Sequence, residues 1–125
     1  MRRSASALSV ALLLIVSADC VEAQAADATR GKELYESRCA GCHSLDQDRI
    51  GPRHRGLIGR KAGAVAGFEY SPALRASRIV WSAQALDRWL ANPERLIPGQ
   101  RMNYSVPDAA DRAALIAYLA GESGP

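Results

Sequence analysis

Cys39-Ala40-Gly41-Cys42-His43 places two thiols and an imidazole inside one pentapeptide, and this segment limits what the chain can become more than any other. Thiols at this spacing reach the two vinyl groups of a single haem, while the adjacent imidazole reaches the iron beneath the same edge. A thioredoxin-like dithiol needs a preceding strand in a βαβ unit, whereas a helical pattern precedes Cys39. A zinc site needs four ligands, and beyond Cys39, Cys42 and His43 only His54 stands nearby. The motif therefore predicts one haem c, bound covalently through Cys39 and Cys42 and ligated by His43.

The start of the chain agrees with a site assembled outside the cytosol. Met1-Arg2-Arg3 supplies a positive end, Ala7 to Val16 an apolar run, and Ala23-Gln24-Ala25 small residues about a spacer, the three zones of a secretory signal peptide. The run is shorter than the roughly 20 residues of a permanent span, which argues against a retained anchor. Cys20 follows the apolar run as in lipoprotein precursors, but Asp19 occupies the place where those need a small residue. Residues 1–25 are expected to be a signal peptide removed after Ala25, and 26–125 a single domain. Cys20 then leaves with it, and Cys39 and Cys42 remain as the only thiols. The net charge of +3 sits on basic residues scattered singly between Arg30 and Arg112, without the dense run that nucleic acid demands. A mildly positive face for acidic protein partners is the better inference.

Downstream the pattern is helical and glycine-punctuated. A helix is expected from about Ala28 to Arg38, then mostly loop through Gly51, Gly56, Gly59, Gly63 and Gly67. Ser71-Pro72 opens a short helix. Ser82 begins another, with Ala85, Leu86, Trp89 and Leu90 on one face, and Pro93 ends it. Asn92 to Pro107 is expected as loop. Asp108 to Ala120 has the clearest stripe, in Ala114, Leu115, Tyr118 and Leu119, with Asp108 placed to pair with Arg112 and Gly121 as the stop. With a single phenylalanine and much glycine the chain has little side-chain volume of its own, so the cofactor is expected to serve as the core.

Met102 is the one methionine apart from the initiator. It lies in the polar, proline-flanked loop Pro98-Gly99-Gln100-Arg101-Met102, where an apolar filler has little to pack on unless a cofactor is present. A thioether is a soft ligand that favours ferrous iron and suits an electron carrier. Here the sequence resembles the class I cytochromes c, particularly the mitochondrial type and the bacterial cytochromes c2, over nearly the whole of 26–125. The matching motifs are Cys39 to His43, Gly51-Pro52, Gly56-Leu57-Ile58-Gly59-Arg60-Lys61, Gly67-Phe68-Glu69-Tyr70 with Trp81, Asn92-Pro93, Ile97-Pro98-Gly99 with Met102, and Leu115-Ile116-Ala117-Tyr118-Leu119.

The resemblance implies an all-α cytochrome c fold of four to five short helices around one haem. It implies that His43 and Met102 are the axial ligands and that the Pro52 carbonyl accepts a hydrogen bond from the proximal imidazole. Tyr70 and Trp81 bond a buried propionate, whose charge Arg60 offsets. Gly31 and Tyr35 mark where the first helix crosses the last, at Leu115 and Tyr118. Three positions depart from the pattern. Trp89 stands where a tyrosine hydroxyl usually approaches the methionine sulfur, and its indole donates but does not accept. Gln100 replaces a threonine that usually bonds a propionate, which leaves that contact open. His54, followed by Arg55, takes an apolar proximal position; it either touches the haem edge or is turned outward by the loop, and outward is the expectation for a lone polar side chain.

The expected function is electron transport between redox proteins by a periplasmic, monomeric carrier that is not an enzyme. The alternatives are a peroxidase-like or ligand-binding haem protein with an open sixth site, and the electron-transfer subunit of a periplasmic dehydrogenase. For the mature N-terminus, intact mass is expected to show a chain beginning at Ala26 with Cys20 gone; a mass that includes Cys20 carrying diacylglycerol would show a lipid anchor instead.

Overall fold

A computed structural model describes residues 22–25 and 27–124, so most of the expected signal peptide lies outside the described residues. The described part is helical, without a strand: α1 (27–38), α2 (Pro72–Ala76), α3 (Ala83–Ala91), α4 (Pro93–Leu96) and α5 (Ala109–Gly121). A lone antiparallel bridge joins Lys61 to Val80.

The helices start where side chains cap them. Ser71, Ser82 and Asp108 accept hydrogen bonds from the amides of Leu74, Ala85 and Asp111, each satisfying one of the orphan donors of a first turn. Asn92 is extended, at φ −161°, because Pro93 follows it, and this ends α3. The same Asn92 then caps Arg95 and, with proline at the first position, opens α4. The expected loop from Asn92 to Pro107 thus contains a helical turn, since the residues that stop one helix are those that start another.

The first and last helices meet at backbone distance. A β-carbon on Gly31 would stand 1.9 Å from the Ala114 carbonyl oxygen and 2.8 Å from Tyr118 Cβ, so only glycine permits this crossing. Tyr35, one turn on, is buried and lays its ring 5.4 Å from that of Tyr118. Asp111, in the first turn of α5, pairs with both Arg30 and Arg38 of α1. The expected pair between Asp108 and Arg112 does not form: Asp108 is spent as the cap, and Arg112 reaches Asp87 on α3 at 2.7 Å and donates to the carbonyls of Val106 and Pro107. The stripe Ala85, Leu86, Trp89 and Leu90 is buried, and so are Ala114, Leu115, Ile116 and Leu119. Val106 N donates to Leu90 O at 2.7 Å, bringing the returning loop back onto α3.

The end of α5 also ties down the segment that follows the cysteine motif. Gly56 N donates to Glu122 O, Ile58 N to Ser123 Oγ, and Arg55 joins Asp46 and Glu122 at 2.5 and 2.6 Å. This gives Arg55 a structural place, although such exposed pairs contribute little each. Gly31→Ala is expected to lower the unfolding free energy by about 2 kcal/mol, because the obstruction is a backbone oxygen that cannot rotate away; denaturant unfolding of the two proteins measures it, and an unchanged midpoint would contradict the close crossing.

Candidate functional site

The pentapeptide begins at the end of α1, where Cys39 N and Ala40 N both donate to Tyr35 O and His43 N donates to Cys39 O. These bonds wind the motif into a tight turn, so that Cys39, Cys42 and His43 are presented together. Both thiols are free of disulfide. Cys42 is exposed; Cys39 is partly buried, and that burial pushes its thiol up to about 11.

His43 is fixed from several directions. Its Nδ1 lies 2.8 Å from Pro52 O, and because a carbonyl only accepts, Nδ1 carries the proton. Burial lowers the ring's pKa, partly offset by that bond, so the imidazole is neutral and Nε2 keeps its lone pair, the form in which histidine binds a metal. A β-carbon on Gly51 would stand 2.1 Å from His43 Cε1. Gly51 N donates to Cys42 O at 2.8 Å, which presses the Gly51-Pro52 segment against the motif.

His54 overturns the expectation that it faces solvent. Its ring stacks on that of His43 at 4.0 Å between centroids and 23° between planes, and its Nδ1 lies 3.1 Å from the Tyr35 hydroxyl. Burial, with His43 and Arg60 nearby, holds its pKa well below the usual histidine value. The polar side chain points inward because Tyr35 gives it a partner there, and a buried polar group with a partner carries little penalty.

A second group of expected site residues gathers around the bridge. Trp81 N donates to Arg60 O and Gly59 N to Trp81 O, at 2.9 and 2.8 Å, so backbone pairing holds Arg60 beside Trp81. Tyr70 is buried, and its hydroxyl accepts from Val65 N at 3.1 Å, leaving its own proton to donate. Arg60 donates to Arg53 O at 2.8 Å. Among the described residues it forms no ion pair, and burial lowers its pKa. Trp81 and Trp89 are both in the core, with rings 5.4 Å apart. Met102 lies on a separate segment, half-buried and packed against the same core cluster. Gln100, whose contact was left open, directs its amide to Glu94 and Asn103.

The cytochrome c family profile matches residues 28–122. The chain belongs to the cytochrome c family. It is 40% identical over 102 residues to Cytochrome c 2.1 of Caenorhabditis elegans, covering 79% of this chain and 92% of that one. It is likewise 40% identical over 95 residues to the cytochrome c-type cyt cy of Rhodobacter capsulatus, covering 74% of this chain and 48% of that longer protein. Among solved structures, cytochrome cH from Methylobacterium extorquens matches with a TM-score of 0.72 at 32% identity, over 75% of this chain and 97% of that one.

As in other cytochromes c, haem c is held covalently, and Cys39 and Cys42 have the spacing for it. The surrounding residues fit the group. His43 offers a free Nε2, and Arg60 is a partly buried cation that forms no ion pair among the described residues, close enough to Tyr70 for its charge to act on that phenol, which suits an acidic substituent. Among the described residues no cluster of histidine, cysteine or acid offers a competing metal site.

Two features of this cytochrome went unread in the sequence. Nothing in the spacing of Gly51 tells that its missing side chain makes room for His43. The partnership of His54 with Tyr35 spans 19 positions and needed the path of the loop. Gly51→Ala is expected to displace the His43 ring or break its bond to Pro52, with a loss of about 2 kcal/mol in stability and a shifted Soret band; a variant matching the parent in both would show that the ring is not confined there.

Proposed function

We propose that this cytochrome is an exported carrier that passes single electrons between redox proteins, with His43 and Met102 as the two axial ligands. Haem supplies the one-electron chemistry at its iron when bound. The protein's part is to hold that group still and keep water and small molecules from it. Pro52 fixes the His43 ring and strengthens it as a donor. Arg60, together with the phenolic proton of Tyr70 and the indole of Trp81, would receive the propionate.

The observation that carries the reading is the inward packing of Met102. A loop of mostly polar, exposed residues turns one thioether against the apolar core, where a soft sulfur ligand would close the sixth position and favour the ferrous state. An enzyme with an open sixth site would also need a distal acid–base group. Asp108, the acid that follows Met102 in the chain, is exposed and committed to the Asp111 amide at 2.8 Å.

Export is supported by the leader-like residues 1–25, which would deliver the mature domain to the compartment where haem c is attached. Among the described residues no helix is long and apolar enough to cross a membrane. The partners of a net-positive carrier would be redox proteins with acidic docking faces, met by single arginines that bind carboxylates directionally.

In the ferric protein, sulfur ligation is expected to give a weak far-red charge-transfer band. Met102→Ala should abolish it, lower the reduction potential and let cyanide or carbon monoxide bind readily. A parent protein that lacks the band and binds carbon monoxide as fast as the variant would instead point to the open-site enzyme.

A further inference from the structure

The segment carrying Met102 has almost no backbone support of its own. Gln100 N donates to Ile97 O at 3.2 Å, the next backbone bond is that of Val106 to Leu90, and among the described residues none involves 101–105. Packing does not replace it on the outer side, where a hollow of about 270 Å³ opens, lined by Asn92, Glu94, Gln100, Asn103, Tyr104 and Ser105.

Side chains supply what the backbone lacks. Gln100 and Asn103, on either side of Met102, bond each other twice: Gln100 Nε2 donates to Asn103 Oδ1 at 2.8 Å, and Asn103 N donates to Gln100 Oε1 at 2.9 Å. The closed loop formed in this way has Met102 within it. Asn103 accepts the left-handed backbone this requires, at φ 48°, which asparagine tolerates better than most residues. One carboxylate then ties the loop to α4, because Glu94 accepts from Gly99 N at 3.0 Å and from Gln100 Nε2 at 3.1 Å. Gln100 is buried, with 6% exposure, so its amide has no easy exchange of these partners for water.

We propose that Glu94, Gln100 and Asn103 are positioning residues that form a polar latch on the Met102 loop and set how often the thioether leaves its place. The inference rests on Met102 being the sixth ligand. A latch of this kind acts on kinetics more than on the resting state: breaking it leaves Met102 able to bind but raises the rate at which the loop swings away.

The test uses ferric holoprotein mixed with excess imidazole in a stopped-flow instrument. At saturating imidazole the observed rate is the rate of methionine departure. Gln100→Ala is expected to raise this limiting rate about 10-fold, the equivalent of one or two lost hydrogen bonds, while the far-red band is retained before mixing. Glu94→Gln keeps one acceptor and should fall between. Asn103→Gly, which retains access to the left-handed backbone, should also accelerate exchange and serves if Gln100→Ala does not fold. Gly31→Ala, which loosens the α1–α5 crossing and touches none of the three latch residues, is expected to accelerate exchange much less than the latch variants do.

Variants that exchange at the parent rate while the band is present would overturn the latch, as would an equal acceleration in Gly31→Ala, since the opening would then be global. Absence of the band in the parent protein would overturn the assignment of Met102 itself, and the latch with it.

Discussion

The contact of Gly31 with the Ala114 carbonyl is the constraint on which most of the molecule depends. It sets the crossing of α1 on α5 at backbone distance, and both helices deliver something at their ends. The C-terminal end of α1 carries Tyr35, whose carbonyl winds the cysteine motif, and whose hydroxyl holds His54 over His43. The C-terminal end of α5 carries Glu122 and Ser123, which fasten the segment at 55–58. Moving one helix by the width of a methyl group would therefore shift the motif, its stacked partner and the loop behind them together. The doubly paired Asp111 reinforces the crossing at its other end: a mostly buried carboxylate with two guanidinium partners is a strong preference for one register, because either partner lost leaves charge poorly compensated.

Much of this was legible in the chain because it is carried by local rules. Ser71-Pro72, Ser82 and Asp108 announce helices through capping chemistry, and the buried stripes on α3 and α5 follow from spacing alone. The pentapeptide and Met102 stand out because their side chains have few other uses in so small a protein. What was not legible depends on partners distant in the chain. Arg112 was expected to pair with Asp108 four residues away, but Asp87, 25 residues away, reaches it once α3 lies on α5. The turn at Pro93–Leu96 is hidden because Asn92-Pro93 signals a stop, although a residue forced out of helical geometry has the conformation that an N-cap needs.

His54 shows the same lesson in its sharpest form. A lone histidine at an apolar position is expected to face water, and that rule holds when no partner is available inside. Tyr35 changes the balance: the hydroxyl and the imidazole satisfy each other, and the two rings together fill space that an apolar side chain would otherwise occupy. The substitution is intelligible only as a pair, and neither member alone signals it.

The two sides of the proposed site are stabilised by different physics, and this has a consequence for how each responds to thermal motion. Around His43 the restraints are covalent attachment nearby, a glycine that leaves no slack, a carbonyl bond and a stacked ring; all lie within or against packed core, where displacement costs dispersion as well as hydrogen bonding. Around Met102 the restraints are hydrogen bonds among Glu94, Gln100 and Asn103 beside an open hollow, with no backbone bond at 101–105 among the described residues to support them. Local opening draws on the region with fewest buried apolar contacts. On the proposed ligation the methionine side is therefore the one that opens first, and the thioether rather than the imidazole is the contact most sensitive to nearby substitution.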